Sequence, residues 1–208
     1  MKKSLFLAAL CLGIFIESQA QVSFSPGLRG GANFSKITQT ESSFKADFYM
    51  GAFGALKLGR VYTLQPEIAY SNQGGNNIWI HEYDYSQGET FSERKSVTIS
   101  YVSVSVINKF NFTDKVNFHL GPVFDIEAGR SFYINAPIDI AFTAGLGYLI
   151  TNNLAVEGRI KKGIVDVLDS YYHHNNHSNS HFWGSYNTNF LFQLGLSYTF
   201  DIQKTNSN

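Results

Sequence analysis

Four histidines crowd one short segment of the chain. His173, His174, His177 and His181 fall in the run YYHHNNHSNSHFWG, residues 171–184. Neutral imidazoles are good ligands for Zn, Cu or Ni, so these four are the candidate metal ligands. No carboxylate lies between His173 and His181. The surrounding Asn and Ser also suit a solvated polar loop, and His-rich tracts point to metal only by composition. His81, in another polar stretch, falls on the same expected side. A second constellation is spread along the chain. Arg29, Lys57, Lys109, Arg159 and Lys161 share a polar face with Gln65, Glu67, His119, Asp125, Glu127 and Glu157. His119 beside carboxylates has the makings of a general base. The alternative is a satisfied network on an inward polar face, and that reading is preferred. A triad is recognised by geometry, and no Ser, His and Asp are forced together by chain order here. No phosphate loop or dinucleotide fingerprint follows a strand and opens a helix. The expectation is a protein without cofactor and without enzymatic activity.

The elements that carry these residues read with period two, the alternation of a strand. Eight such segments are visible, at about 27–35, 48–58, 63–71, 96–112, 116–128, 138–150, 154–162 and 190–200. In the first, Leu28, Gly30, Ala32 and Phe34 oppose Arg29, Asn33 and Ser35. In the seventh, Leu154, Val156 and Ile160 oppose Glu157, Arg159 and Lys161. Short connections fall at 59–62, 113–115 and 151–153. Long or polar ones fall at 36–47, 72–95, 129–137 and 163–189. Short turns at one end and long loops at the other form the layout of a transmembrane barrel.

Alternation alone does not say which face meets water. Three features put the apolar face outside, against lipid. Most segments are long enough for a tilted strand to cross the hydrocarbon, which takes about 9–11 residues. Aromatic residues gather near the strand ends, as interfacial girdles do. The polar face carries both signs of charge, as a closed interior requires. Composition agrees: of 208 residues only 15% are charged while 15% are aromatic, against roughly 25% charged in a typical soluble domain. The 16 Lys and Arg balance 16 Asp and Glu, which argues against a nucleic-acid partner.

The first twenty residues read as a secretory signal. Lys2 and Lys3 precede an apolar run from Leu5 to Ile16, and Ser18-Gln19-Ala20 supplies the small-x-small cleavage pattern. The run is too short to span a membrane as a helix. Cys11, the single cysteine, lies inside it without a lipobox. The expected division is a signal peptide at 1–20, a barrel domain at 21–202 and a tail at 203–208.

Three motifs then resemble a known family. Leu64 to Gly74 (LQPEIAYSNQG) resembles the L-Q-P-E-L-x-Y-S-x-Q-G segment of the PorT-like outer-membrane β-barrel family of Bacteroidota. Tyr101 to Phe112 (YVSVSVINKFNF) is similar to that family's Y-L-E-I-P-L-L-L-K-Y-x-F strand, departing at Ser103 and Ser105. Gly121-Pro122-Val123-Phe124 resembles its G-P-Y-F element. The likeness runs in order through the mature chain. It implies an outer-membrane barrel more firmly than any activity, although one branch is associated with type IX secretion. In the last strand, Gln193, Gly195, Tyr198 and Phe200 fit a polar-x-Gly-x-x-aromatic-x-aromatic pattern. That pattern is similar to the signal read by the barrel-assembly machinery.

The expected fold is therefore all-β: an eight-stranded antiparallel up-and-down transmembrane β-barrel, monomeric, in the outer membrane of a Gram-negative bacterium. Its partners are the lipid bilayer, the assembly machinery during biogenesis, and an extracellular partner at loops 72–95 and 163–189. The expected role is structural or interactive, above a packed polar lumen. The alternatives are a narrow pore for a small solute, or the accessory barrel of a secretion system.

Overall fold

Alternating strands with one lipid-loving face must close on themselves, because an open edge in hydrocarbon leaves backbone donors and acceptors unpaired. The computed structural model, described for residues 22–84, 88–129, 137–168 and 187–201, has that closure. Eight strands follow in chain order: β1 (Ser23–Ile37), β2 (Lys45–Lys57), β3 (Tyr62–Asp84), β4 (Glu89–Asn111), β5 (Val116–Glu127), β6 (Ile138–Leu149), β7 (Leu154–Gly163) and β8 (Asn189–Thr199). Each pairs antiparallel with its neighbours in sequence, and β8 returns to β1 to close the barrel. The closing seam runs from Gly27 opposite Thr199 to Ile37 opposite Asn189.

Two of the tight turns are built alike. Thr113 Oγ1 accepts from the backbone N–H groups of Lys115 and Val116. Thr151 Oγ1 does the same for Asn153 and Leu154. A hydroxyl that satisfies the turn's own donors fixes a short reversal, and these two sit on the end where β1 begins and β8 ends.

The wall is inside out relative to a water-soluble protein. Leu28, Met50, Ile68, Phe142, Leu146 and Ile160 point outward and are each more than half exposed. Arg29, Glu67, His119, Asp125, Glu157 and Arg159 point inward and are buried. Fully exposing a Leu or Phe to water would cost about 1.5–3 kcal/mol each, and a lipid environment removes that cost.

β3 and β4 depart from the sequence expectation. The stretch 72–95, counted as a long connection into which the fourth strand was expected to extend and pair, is nearly all strand: both strands are 23 residues long and stay paired from Tyr62–Phe110 to Asp84–Glu89. A membrane crossing uses about 11 residues. The surplus of about a dozen, at about 3.3 Å each and tilted, lifts the hairpin roughly 25 Å beyond the hydrocarbon edge. The alternation was broken to the eye by a bulge between Gly75 and Ile78. Gly74 there takes φ +128°, and a Cβ at that position would strike the Val97 carbonyl. Asn77 adopts φ 57°, the left-handed region that Asn tolerates. The extra residue flips the parity. Gln65, Glu67, Ser71 and Gln73 face inward below the bulge, whereas Ile78 and Ile80 face inward above it.

The flip matches a change of surroundings. Around the bulge, Ile37, Ile78, Ile80, Val97, Ile99, Tyr101, Val167 and Leu168 form an apolar cluster over the barrel mouth, with Ile99 and Tyr101 paired to Gln73 and Ser71 just beneath it. Below it the inward face is mostly polar, with Ile107, Val123 and Leu191 as buried apolar exceptions.

Candidate functional site

The lumen is the place where the chain gathers its charge. Arginine suits such a site because its planar fork matches a carboxylate with two parallel hydrogen bonds. Arg159 on β7 donates to Glu67 on β3 through Nη1 to Oε2 and Nη2 to Oε1, both at 2.8 Å. Arg29 on β1 adds Nη1 to the same Oε2 at 2.7 Å. Gln65 Nε2 donates to Oε1 at 2.6 Å. β3 and β7 lie four strands apart in either direction round the closed ring, so the Glu67–Arg159 pair crosses the full diameter.

Glu157 forms the second node. Arg159 Nη2 reaches its Oε2 at 2.9 Å, and Lys109 Nζ reaches its Oε1 at 2.7 Å. Ser197 Oγ donates to Oε1 at 3.1 Å. Arg29 Nε lies 3.9 Å from Oε2. Two inward aromatic rings back the cations: Arg29 stacks over Tyr49 at 4.7 Å, and Lys109 sits 5.7 Å from the Phe53 ring centre. One floor higher, Asp125 accepts from Lys161 Nζ at 2.5 Å, Ser103 Oγ at 2.5 Å and Gln73 Nε2 at 3.1 Å. Asp139 accepts from Asn189 Nδ2 at 3.2 Å, just under the apolar cluster.

These groups balance in sign: Arg29, Lys109, Arg159 and Lys161 stand against Glu67, Asp125, Asp139 and Glu157. Buried charge is tolerable only when paired and hydrogen-bonded, and seven of these eight pair within the lumen. A cavity of about 20 Å³ lies among them, lined by Arg29, Glu67, Ser105, Arg159, Lys161 and Gln193 among others. That is room for about one or two water molecules.

The remaining expected residues fall as follows. Gln65 is buried in the network. His119 is wholly buried, with Nδ1 3.0 Å from Asn117 Oδ1. Its Nε2 has no hydrogen-bond partner among the described residues and faces Gly145. Lys57 differs from expectation. It is exposed, because it is the last residue of β2, paired with Ser23 and Thr63 at the turn-end mouth, and it lies outside the buried network. Glu127 is half-buried at the opposite end, the last residue of β5, across from Tyr101. Gly195 and Tyr198 lie in β8 on the closing seam, Phe200 follows its end, and Gln193 turns inward to donate to Asn33 Oδ1 at 2.8 Å.

His173, His174, His177 and His181 lie outside the described residues. Among the described residues no group of three His, Cys, Asp or Glu is placed to hold a metal ion. Sequence reasoning missed Gln73, Tyr49 and Asn189 as parts of the network. Gln73 was legible, since it continues the inward odd-numbered series of Gln65, Glu67 and Ser71. Tyr49 and Phe53 are apolar types on the polar face, and only their cation contacts explain them.

Residues 19–169 match the family described as outer membrane protein beta-barrel domain. Among solved structures, the chain is similar to Neisserial surface protein A, with 12% identity over 86% of this chain and 99% of that one, and a TM-score of 0.51. It is also similar to OprG from Pseudomonas aeruginosa, with 10% identity over 89% and 100% and a TM-score of 0.47. A third is Ail, the attachment invasion locus protein of Yersinia pestis, in complex with the heparin analogue sucrose octasulfate. That match has 11% identity over 86% and 99% and a TM-score of 0.47. No curated protein matches the chain. At such identities the likeness to Neisserial surface protein A speaks for the barrel fold alone.

Proposed function

The chain belongs to the outer membrane protein beta-barrel domain family, and from that membership we propose a closed, non-conducting barrel that acts through what it presents at the cell surface. The observation that carries this reading is the lumen: eight strands leave an interior just wide enough for side chains to fill, and the cavity among its charged side chains measures about 20 Å³. The Glu67–Arg159 bridge blocks the axis at mid-height, and the apolar cluster of Ile78, Ile80, Ile99 and Tyr101 covers the mouth above it.

In this reading the short turns face the periplasm and the long connections face outward. The β3–β4 hairpin is then the principal display surface. Trp79 and Arg94 face each other across it, with the guanidinium 4.7 Å from the Trp79 ring centre. Glu41, from the β1–β2 connection, accepts from Trp79 Nε1 at 3.2 Å and Arg94 Nη2 at 3.0 Å. A rigid aromatic platform with both signs of charge suits a protein or glycan partner. Residues 1–20 direct export and are removed, and Gln193, Gly195, Tyr198 and Phe200 are what the assembly machinery reads. The protein works as a monomer without catalysis. A PorT-like placement within the family rests on the Leu64–Gly74 and Tyr101–Phe112 motifs.

The test is single-channel recording of the purified barrel in planar bilayers. The expected trace shows no sustained steps above the bilayer baseline. Steady ohmic conductance, reduced by an added small solute, would replace this reading with a narrow pore.

A further inference from the structure

The outward face of the barrel carries a pair of lysines where lipid should meet it. Lys36, Phe190 and Lys162 stand side by side on β1, β8 and β7, Lys36 opposite Phe190 and Phe190 opposite Lys162. Two strand spacings put the lysine positions roughly 10 Å apart. Both continue outward-facing apolar rows: Leu28 and Phe34 lead up to Lys36, and Val156 and Ile160 lead up to Lys162. They stand near the long-loop ends of these rows, with the exposed Ile164 just beyond Lys162.

The surroundings are built for an anion. Lys162 Nζ donates to Thr38 Oγ1 at 2.9 Å and also to Thr188 Oγ1. The two hydroxyls lie 3.0 Å from each other, and Thr38 Oγ1 donates to the Thr188 carbonyl at 3.0 Å, so the ammonium is held in a fixed position on the rim. Lys36 Nζ sits 5.1 Å from the Phe44 ring centre. Among the described residues, neither lysine has a carboxylate within 4.0 Å, unlike the inward cations Arg29, Lys109, Arg159 and Lys161. Beside them lies an aromatic shelf: Phe34 with Phe192, and Phe44 with Phe190, each at 6.4 Å between ring centres.

We infer that this β7–β8–β1 face is a binding site for one phosphorylated lipid of the outer leaflet, its phosphate on Lys36 and Lys162 and its acyl chains on the phenylalanine shelf. Two cations near the long-loop rim beside an apolar surface match the two halves of such a molecule, and the countercharge that no described carboxylate brings within salt-bridge distance is the one the headgroup brings. The site uses the long-loops-outward orientation but not the sealed lumen, so it stands whether or not the barrel conducts.

The test is native mass spectrometry of the delipidated full barrel, titrated with monophosphorylated lipid A and separately with inorganic phosphate. A lysine near an anionic surface contributes about a factor of five. The Lys36→Gln/Lys162→Gln variant should therefore bind lipid A about 30-fold more weakly, and the Lys36→Arg/Lys162→Arg variant should bind as the parent does. Lys115→Gln, at the opposite rim, should leave binding unchanged. A heat-dependent gel shift confirms that each variant is folded. If the double variant does not fold, the single glutamine variants should each lose about fivefold. Three results overturn the proposal: glutamine variants that bind within about twofold of the parent, an equal loss from Lys115→Gln, or inorganic phosphate bound as tightly as lipid A, which would make this a free-anion site.

Discussion

Replacing Glu67 by Gln keeps the size of the side chain and removes the charge that joins β1, β3 and β7. Three charge-assisted hydrogen bonds end on its carboxylate from Arg29 and Arg159. Removing one partner of a buried pair typically costs about 3–5 kcal/mol, because the other charge stays buried without compensation. Here two guanidinium groups are stranded together. Glu157 moderates the loss, since it remains 2.9 Å from Arg159 and 3.9 Å from Arg29. Its capacity is already shared with Lys109 at 2.7 Å, so it cannot fully serve both arginines. The expected loss is about 3–4 kcal/mol, read as a shift of the urea unfolding transition in lipid vesicles. The Glu67→Gln/Arg159→Gln double variant should lose less than the sum of its single variants, with a coupling of at least about 1 kcal/mol. Lys57→Gln serves as the internal comparison: it is exposed at the mouth and should move stability by less than about 0.5 kcal/mol. A Glu67→Gln barrel within about 0.5 kcal/mol of the parent would refute the claim that this carboxylate organises the lumen.

Two further perturbations separate the two zones of the wall. Leu194→Arg, outward-facing at the centre of β8, should cost about 2–4 kcal/mol in vesicles; no measurable change in the same unfolding assay would mean that this face does not meet hydrocarbon. Ile99→Ala, in the buried apolar cluster around the bulge, should cost about 2–5 kcal/mol through the cavity it leaves, and hydrogen exchange should show the β3–β4 hairpin losing protection before the barrel does.

The faces of the wall were readable because the pleat puts alternate residues on opposite sides. Arg29, Glu67, His119 and Arg159 could be assigned to one face from parity alone. Their pairing could not, because it depends on how the strands are staggered round the cylinder. That stagger brings Glu67 to Arg159, 92 residues away, and leaves Lys57 at the mouth despite its correct parity. Height along the axis is set by the same stagger, which is why Glu127 also fell outside the centre of the network. The hairpin was hidden for a different reason. Gly74, Gly75, Asn76 and Asn77 look like loop chemistry, and the bulge they form reverses which residues face inward. Ile78 and Ile80 therefore read as out of phase with Glu67 and Gln73, although one strand holds them all. The inward aromatics Tyr49 and Phe53 were opaque for a third reason: rings that back a cation look like any apolar residue until the cation is in place.

The bridge from β3 to β7 also has a mechanical meaning. Strand-to-strand hydrogen bonds resist stretching of a cylinder wall, but each strand pair can still hinge, so a hollow ring of eight can flatten toward an ellipse. Lateral pressure from the bilayer acts on that soft direction. A planar arginine–carboxylate fork spanning the diameter, with Arg29 as a second brace set off to one side, works as a strut against flattening. The membrane then meets an inclusion of fixed, round cross-section, and the outer hairpin stands on a base that does not breathe with the lipid around it.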